Sequence, residues 1–487
     1  MNNPVPLLPL DLLERRLPYL PHRPVLDDYQ AWWDCEGRAI SEAVDRAGTP
    51  ALRLFDRFGK RVDEVLYPPD YWRMLREGYR AGVVWRSLKE QSLITPYLLG
   101  YITSFYDPGL YCPYVVTLST AVPLAKYGAP EIVQEFLPPL LQEDGRGWQG
   151  ATWMTESGGG SDLGAAVETL ARDCGDHWEL TGDKYFCSNV GAEAAVVAAR
   201  PERGPTGIRG LELFLTPRTR EGGRLNYSVR RLKDKLGTRS VPTGEVELRD
   251  SHAFLLGKRG QGTYLILETL NLSRVANSMG SVALAQRALA EAWAFACGRV
   301  AFGKPVAEHP LLARQFEERW RTLNAALALA WEAVTLLESV WQEMPPYSDR
   351  YHLFRLVAHL AKFWTAELAV QYSEWALEVH GGAGIVMDLP VERLLRESII
   401  LPIWEGTPQR QILDGLEVME RKRAHQLLWE HLQARGVEPG DLKPIQTEVD
   451  RWLAIPHPER EAVAEPIFRR LAESTGNLLA QLAESRA

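Results

Sequence analysis

From about residue 10 to residue 145, apolar residues recur at three- and four-residue spacings, as in Tyr71 to Val84, with prolines at the breaks. This periodicity predicts an all-α unit over 1–147, with the Pro-rich opening and the Trp32-Trp33 pair wrapped on its outside. Between Trp148 and Gly257 the texture changes to short alternating runs (HWELTGDKYFCSNV, AAVVAAR, LELFLTPR, RLNYSVRRL, GEVELRD), which predict a β domain over 148–258. Gly182-Asp183 reads as a tight hairpin turn, since glycine supplies positive φ. Beyond Gly262 long helical patterns return. One places Met279, Val282, Ala283, Leu289 and Trp293 on a single face and ends near Gly303-Lys304-Pro305; others cover Leu311 to Glu343, Tyr351 to His380 and Thr407 to about Leu428. Short connections make these antiparallel neighbours in a bundle over 259–425, followed through the linker RGVEPGDLKP by a helical extension over 426–487. The fold class is α+β multidomain: N-terminal α-helical domain, middle β domain, C-terminal α-helical bundle, and the extension.

Composition narrows the function. A formal charge of −8 gives no overall attraction to phosphate backbones, and the stretch from Glu420 onward holds ten Lys or Arg against eleven Asp or Glu, so it is no basic arm. The opening MNNPVPLLPLDLLERRLPYL breaks its apolar residues with prolines and charges, unlike a signal peptide. The most apolar helix, Ala325 to Trp341, carries Glu332 and Glu338 and reads as a buried helix of a soluble protein rather than a membrane span. Cys35, Cys112, Cys174, Cys187 and Cys297 are scattered and the histidines dispersed, so no metal-ligand spacing is visible and reduced thiols in a cytoplasm are expected.

Five segments carry candidate chemistry. In Met154-Thr155-Glu156-Ser157-Gly158-Gly159-Gly160-Ser161-Asp162 the glycines allow close approach to a planar or phosphate-bearing ligand, although such a run is alone more often a turn. In Lys184-Tyr185-Phe186-Cys187-Ser188-Asn189, Phe186 and Ser188 face one side of a strand, which suits packing or flavin contact equally. Arg299-Val300-Ala301-Phe302-Gly303-Lys304 places an arginine where it could meet a diphosphate or complement a helix dipole. His380-Gly381-Gly382-Ala383-Gly384 is a glycine-rich loop between helices. In Ile403-Trp404-Glu405-Gly406-Thr407-Pro408-Gln409-Arg410, Glu405 ends an apolar run from Ile399, a setting that raises a carboxylate pKa towards that of a general base.

In this order, MTESGGGSD, RVAFGKP, the HGGAG loop and WEGTPQ resemble the acyl-CoA dehydrogenase superfamily from about residue 80 to residue 420. The resemblance implies FAD held between the β domain and the C-terminal helices. Met154, Thr155 and Ser161 then contact FAD or acyl-CoA, while Phe186 and Ser188, where the family usually has Trp and Thr, line the flavin ring. Arg299 and Phe302 match contacts to the FAD diphosphate and adenine across a subunit interface, which implies a homotetramer; Gly381, Gly382 and Gly384 match the glycine loop, and Thr407 and Gln409 the EGTxQ segment. Glu405 matches the base that takes the α-proton of an acyl-CoA thioester as the β-hydrogen leaves as hydride to flavin N5. Its backbone N–H polarises the thioester oxygen, Gly406 adjoins the substrate, and Arg274 matches an arginine near both, with Asn271 where an acidic residue is frequent. Glu378 and Pro310 stand where the family commonly has Gln. With RLKDKLGTRS, FDRFGKRVDEV and the terminal extensions, they make the chain resemble the AidB-like, alkylation-response branch more than β-oxidation enzymes.

Two functions follow from the resemblance. One is FAD-dependent α,β-dehydrogenation of an acyl-CoA, with electrons passed to an electron-transfer flavoprotein. The alternative is an AidB-like flavoprotein that binds DNA or limits alkylation damage, which the near-neutral tail disfavours.

Overall fold

The structure is a computed structural model describing residues 5–17 and 19–484; the first four residues, Pro18 and the last three lie outside the described residues. The chain divides into two compact units, one made of Ala31–Leu99 and Asp107–Ser273, the other of Met1–Gln30, Gly100–Tyr106 and Arg274–Ala487.

In the first unit a two-stranded hairpin, β1 (Ala51–Phe55) and β2 (Arg61–Leu66), interrupts the stretch read as wholly helical. Asp56 closes its turn by accepting the Phe58 and Lys60 N–H groups, and buried Asp63 accepts the Val229 N–H at 2.8 Å, which docks the hairpin on the β domain. Helices α1 (Tyr71–Ala81) and α2 (Pro108–Tyr127) follow. Trp33 is fully buried rather than on the outside, because Gly37 leaves room for both indoles: a Cβ there would stand 2.5 Å from each.

The β domain comprises β3 (Gly150–Trp153), β4 (Leu170–Asp173), β5 (Trp178–Ser188), β6 (Ala194–Pro201), β7 (Glu212–Pro217), β8 (Ser228–Leu232) and β9 (Thr243–Leu255). Strand β7 pairs with both β9 and β6, so the order β9-β5-β4-β6-β7 closes on itself around Trp153, Trp178, Leu180, Phe214 and Val246. This closure leaves β6 apolar on both faces, hence AAVVAAR without alternation. Strand β5 runs straight through Gly182-Asp183, so no turn forms there. Gly182 instead sits with φ +154° at an irregularity opposite β9, where a Cβ would stand 2.7 Å from the Thr169 Cα. Thr117 and Thr120 of α2 bond the Gly150 N–H and the Ala151 carbonyl, fixing the start of β3.

Helix α3 (Gly262–Gly298) leads into the second unit and ends earlier than its pattern suggests. The RVAFGKP segment is a hairpin, β10 (Val300–Ala301) and β11 (Lys304–Pro305), turned at Phe302 (φ 50°) and Gly303 (φ 81°). The bundle continues with α4 (Pro310–Val340), α5 (Asp349–His380), α6 (Pro408–Lys422) and α7 (Ala424–Ala434). The PGDLKP part of the expected linker is the first turns of α8 (Pro439–Ala454), and α9 (Ala464–Glu484) completes the chain. The extension is built into the bundle: Gly476 lets α9 approach Trp364 and the Ala325 carbonyl, and Phe468 packs edge-on against Phe363. Helix α4 has the length and apolarity of a membrane span, yet buried Glu332 on it accepts from His431 at 2.6 Å and Arg435 at 2.7 Å, as suits a core helix.

Candidate active site

Glu405 lies on the turn between Ser398 and α6, with φ 58°, followed by Gly406 at φ 100°. A left-handed conformation at a non-glycine residue costs about 1 kcal/mol or more, so neighbours must hold it. They do so through main-chain carbonyls. Arg274 Nε donates to the Glu405 carbonyl at 3.1 Å, Gln411 Nε2 to the Glu405 and Gly406 carbonyls at 3.0 and 2.9 Å, and Asn277 Nδ2 to the Leu401 carbonyl at 2.9 Å. The Lys362 ammonium, from the middle of α5, donates to the Pro402 carbonyl at 2.9 Å and the Gly406 carbonyl at 2.6 Å. His359 contacts Gln411 Oε1 at 2.9 Å, and Arg274 pairs with Asp414, which Arg410 also holds.

The carboxylate itself accepts no hydrogen bond among the described residues; every clamp acts on the backbone. Burial pushes Glu405 up to about 6, against the opposing charges of Arg274 and Lys362. The same burial drives Lys362 down to about 7 and His359, next to Arg274, to about 3. A carboxyl poised near 6, held at a fixed place and not hydrogen-bonded, has the character of a general base. Trp404 Nε1 beside it is buried without a partner among the described residues, and Thr407, the N-cap of α6, makes no side-chain capping bond. The turn thus keeps an unspent indole N–H and an uncommitted helix N-terminus.

A second group in the same unit joins Arg299, Phe302, Gly381 and Gly382. Arg299 Nη1 is 3.6 Å from where a Gly381 Cβ would be, Gly382 opens to free space, and Phe302 is 97% exposed at the hairpin tip. Gly384 is buried, and a Cβ there would stand 2.6 Å from the Leu377 carbonyl oxygen, so it is a packing glycine. Gln409 is exposed on the first turn of α6.

The third group belongs to the other unit, at the ends of β3 and β5. Met154 is buried, Thr155 partly buried, Ser161 exposed, and the Thr155 carbonyl accepts the Tyr185 N–H at 3.0 Å. A bulge in β5 opposite Gly244 and Val246 turns Phe186 outward, 53% exposed, with Ser188 on the same side. Behind this face is a residue pair that sequence reading passed over. Fully buried Lys184 donates to Glu156 Oε1 at 2.5 Å, and Glu156 also accepts from Thr169 and the Glu168 N–H. Burial pushes the Glu156 carboxyl up, but the Lys184 charge and these donors hold it below the ordinary carboxylate range. The ion pair therefore braces the glycine loop.

Sequence reading also missed Lys362, Asn277, His359, Gln411 and Asp414. Only Lys362 left a signal, a lysine inside the apolar helical run AHLAKFWTA. At the β4–β5 turn Cys174, His177 and Glu179 come within 4.8 Å of one another, but Arg172 meets the charge of Glu179 there.

Family models match along most of the chain: the AidB N-terminal domain at residues 36–144, the acyl-CoA dehydrogenase middle domain at 151–251 and its C-terminal domain at 260–419. The chain belongs to the acyl-CoA dehydrogenase superfamily, with the domain arrangement of its AidB-like branch. It is 30% identical to acyl-CoA dehydrogenase family member 11 of Caenorhabditis elegans, over 84% of this chain and 69% of that one. Against the putative acyl-CoA dehydrogenase AidB of Escherichia coli K12 the identity is 29%, over 77% and 70%. The crystal structure of Caenorhabditis elegans ACDH-11 in complex with C11-CoA superposes with a TM-score of 0.85 at 25% identity, covering 100% of this chain and 88% of that one.

Proposed function

We propose that the protein is an FAD-dependent acyl-CoA dehydrogenase in which Glu405 removes the α-proton of an acyl-CoA thioester. The observation that carries the reading is the Glu405 carboxylate itself: among the described residues it accepts no hydrogen bond and its turn is fixed through the backbone, a setting in which burial pushes it up to about 6. The cofactor is FAD. The residues present fit it: an outward-facing Phe186 with Ser188 beside it, a hydroxyl-bearing glycine loop, the exposed Phe302, and Arg299 next to the open Gly381-Gly382. When bound, FAD accepts the β-hydrogen as hydride. The protein's own part is to take the α-proton onto Glu405, aided by the Arg274 and Lys362 charges that keep the carboxyl ionised above about pH 6. The backbone N–H of Glu405 serves the thioester oxygen, where enolate charge develops.

The acyl-CoA substrate is supported by the C11-CoA complex of ACDH-11. An electron-transfer flavoprotein as acceptor and a homotetramer, with Arg299 and Phe302 reaching a neighbouring subunit's cofactor, complete the proposal, as does a cytoplasmic location. The AidB N-terminal match favours a second reading, DNA binding in an alkylation response with little dehydrogenase activity. Against it, Arg435, Arg460, Arg469 and Arg470 of the extension are engaged by Glu332, Glu420, Glu367 and Glu448 instead of facing a polyanion unpaired. The test is turnover of an acyl-CoA panel with an artificial electron acceptor. The proposal expects a product two hydrogens lighter for at least one chain; unchanged acyl-CoA throughout, with salt-dependent duplex binding, would favour the second reading.

A further inference from the structure

Lys362 is fully enclosed in the bundle, with 0% of its surface accessible, and among the described residues its ammonium bonds only to carbonyl oxygens. Carbonyl dipoles solvate an ammonium but do not neutralise it. Burying a cation in this way is costly, and a methionine of similar shape would fill the same space without that cost. The two acceptors define what the cost obtains. Pro402 and Gly406 bracket Glu405, three residues before it and one after, so one cation closes the loop that bears the carboxylate.

Charge on the neighbouring elements sharpens this. Helix α3 contributes Arg274, α5 itself contributes His359 and Glu367, and α6 contributes Arg410 and Asp414. Asp414 is claimed by Arg274 and Arg410, and Glu367 by Arg469, while His359 is held neutral by burial. Glu405 is therefore the anion left to balance Lys362.

Resting on the dehydrogenase reading for its catalytic meaning, we propose that Lys362 is a positioning residue for the base: it ties down the turn around Glu405 and supplies the buried positive charge that keeps the carboxylate ionised. A neutral clamp would hold the turn equally well but leave the carboxyl less acidic. Substitution at Lys362 therefore separates charge from scaffolding.

The experiment titrates the Glu405 carboxyl in the FAD-loaded protein by infrared difference spectroscopy, wild type minus Glu405→Gln, and repeats it on a Lys362→Met background. The wild-type midpoint is expected near 6. With Lys362→Met it should rise by about one unit or more, and the rising limb of the pH profile for flavin reduction should move with it. Lys362→Gln, which keeps an N–H donor for the carbonyls but no charge, should shift the midpoint in the same direction. An unmoved midpoint in either folded variant overturns the proposal, and so does failure of both variants to fold, which would make Lys362 purely architectural. The infrared midpoint is readable whether or not any acyl-CoA reduces the flavin, so an inactive wild type would sink the dehydrogenase reading alone.

Discussion

Two turns of the bundle use the same backbone device for opposite ends. At Phe302-Gly303 and at Glu405-Gly406 a non-glycine residue adopts the left-handed conformation immediately before a glycine that does the same. At the first, the side chain points into solvent, 97% exposed, and a Cβ on Gly303 would meet nothing within 4 Å. At the second, Arg274, Lys362 and Gln411 seize the carbonyls, and a Cβ on Gly406 would stand 2.7 Å from Gln411 Nε2. The open turn can only offer an aromatic surface for something else to pack on. The clamped turn can hold a partly buried carboxylate still, and on the proposed reading that difference separates a binding element from a catalytic one.

The comparison breaks most visibly at the side chains. Glu405→Gln should lower flavin reduction by acyl-CoA about 10³-fold while FAD content stays at the wild-type level, whereas Phe302→Ala should leave the chemical step intact. Stopped-flow absorbance on both variants distinguishes them. At the glycines, Gly406→Ala should slow reduction by about tenfold to a hundredfold, because it displaces Gln411 from the Glu405 carbonyl. Gly303→Ala should cost only about 1 kcal/mol of stability, the price of positive φ, read from a denaturation midpoint.

Protonation gives a smaller effect with a definite sign. Glu405 has its folded pKa raised, from 4.5 to about 6, so the folded state binds the proton more tightly than the unfolded one. The carboxyl therefore costs about 2 kcal/mol of stability above pH 6, and nothing below its unfolded value. Glu405→Gln should raise the denaturation midpoint at pH 7.5 and leave it unchanged at pH 4, even though the same change should slow flavin reduction about 10³-fold. In the wild type, flavin reduction should increase with pH through about 6. The smallest effect is at the exposed tip, where Phe302→Ala should weaken FAD retention by about tenfold, the worth of one aromatic contact, with no change in the melting of the protein freed of cofactor.

The setting of Glu405, the proposed base, was legible because it closes an apolar run, and partial burial follows from composition even before any fold is known. Helices and strands were legible where one period persisted, as in Tyr71–Ala81 and Ala194–Pro201. Short elements escaped. The β1–β2 hairpin is held by Asp63 reaching Val229, far away in the chain, and Gly182 serves a close approach to Thr169 that looks like a turn when only neighbours are visible. The Phe302 hairpin hid behind a helical pattern because two-residue strands have no period. Lys362 left the signal of a lysine inside an apolar helical run, but what it does there depends on carbonyl partners, forty and more residues on, that only the fold brings to it.

Anaerobic mixing of the FAD-loaded protein with acyl-CoAs of graded length and branching tests the central claim most directly. At least one of them should bleach the oxidised flavin band, with no comparable bleaching in Glu405→Gln. A flavin that stays fully oxidised with every acyl-CoA, or bleaches as fast without the Glu405 carboxylate, would contradict it.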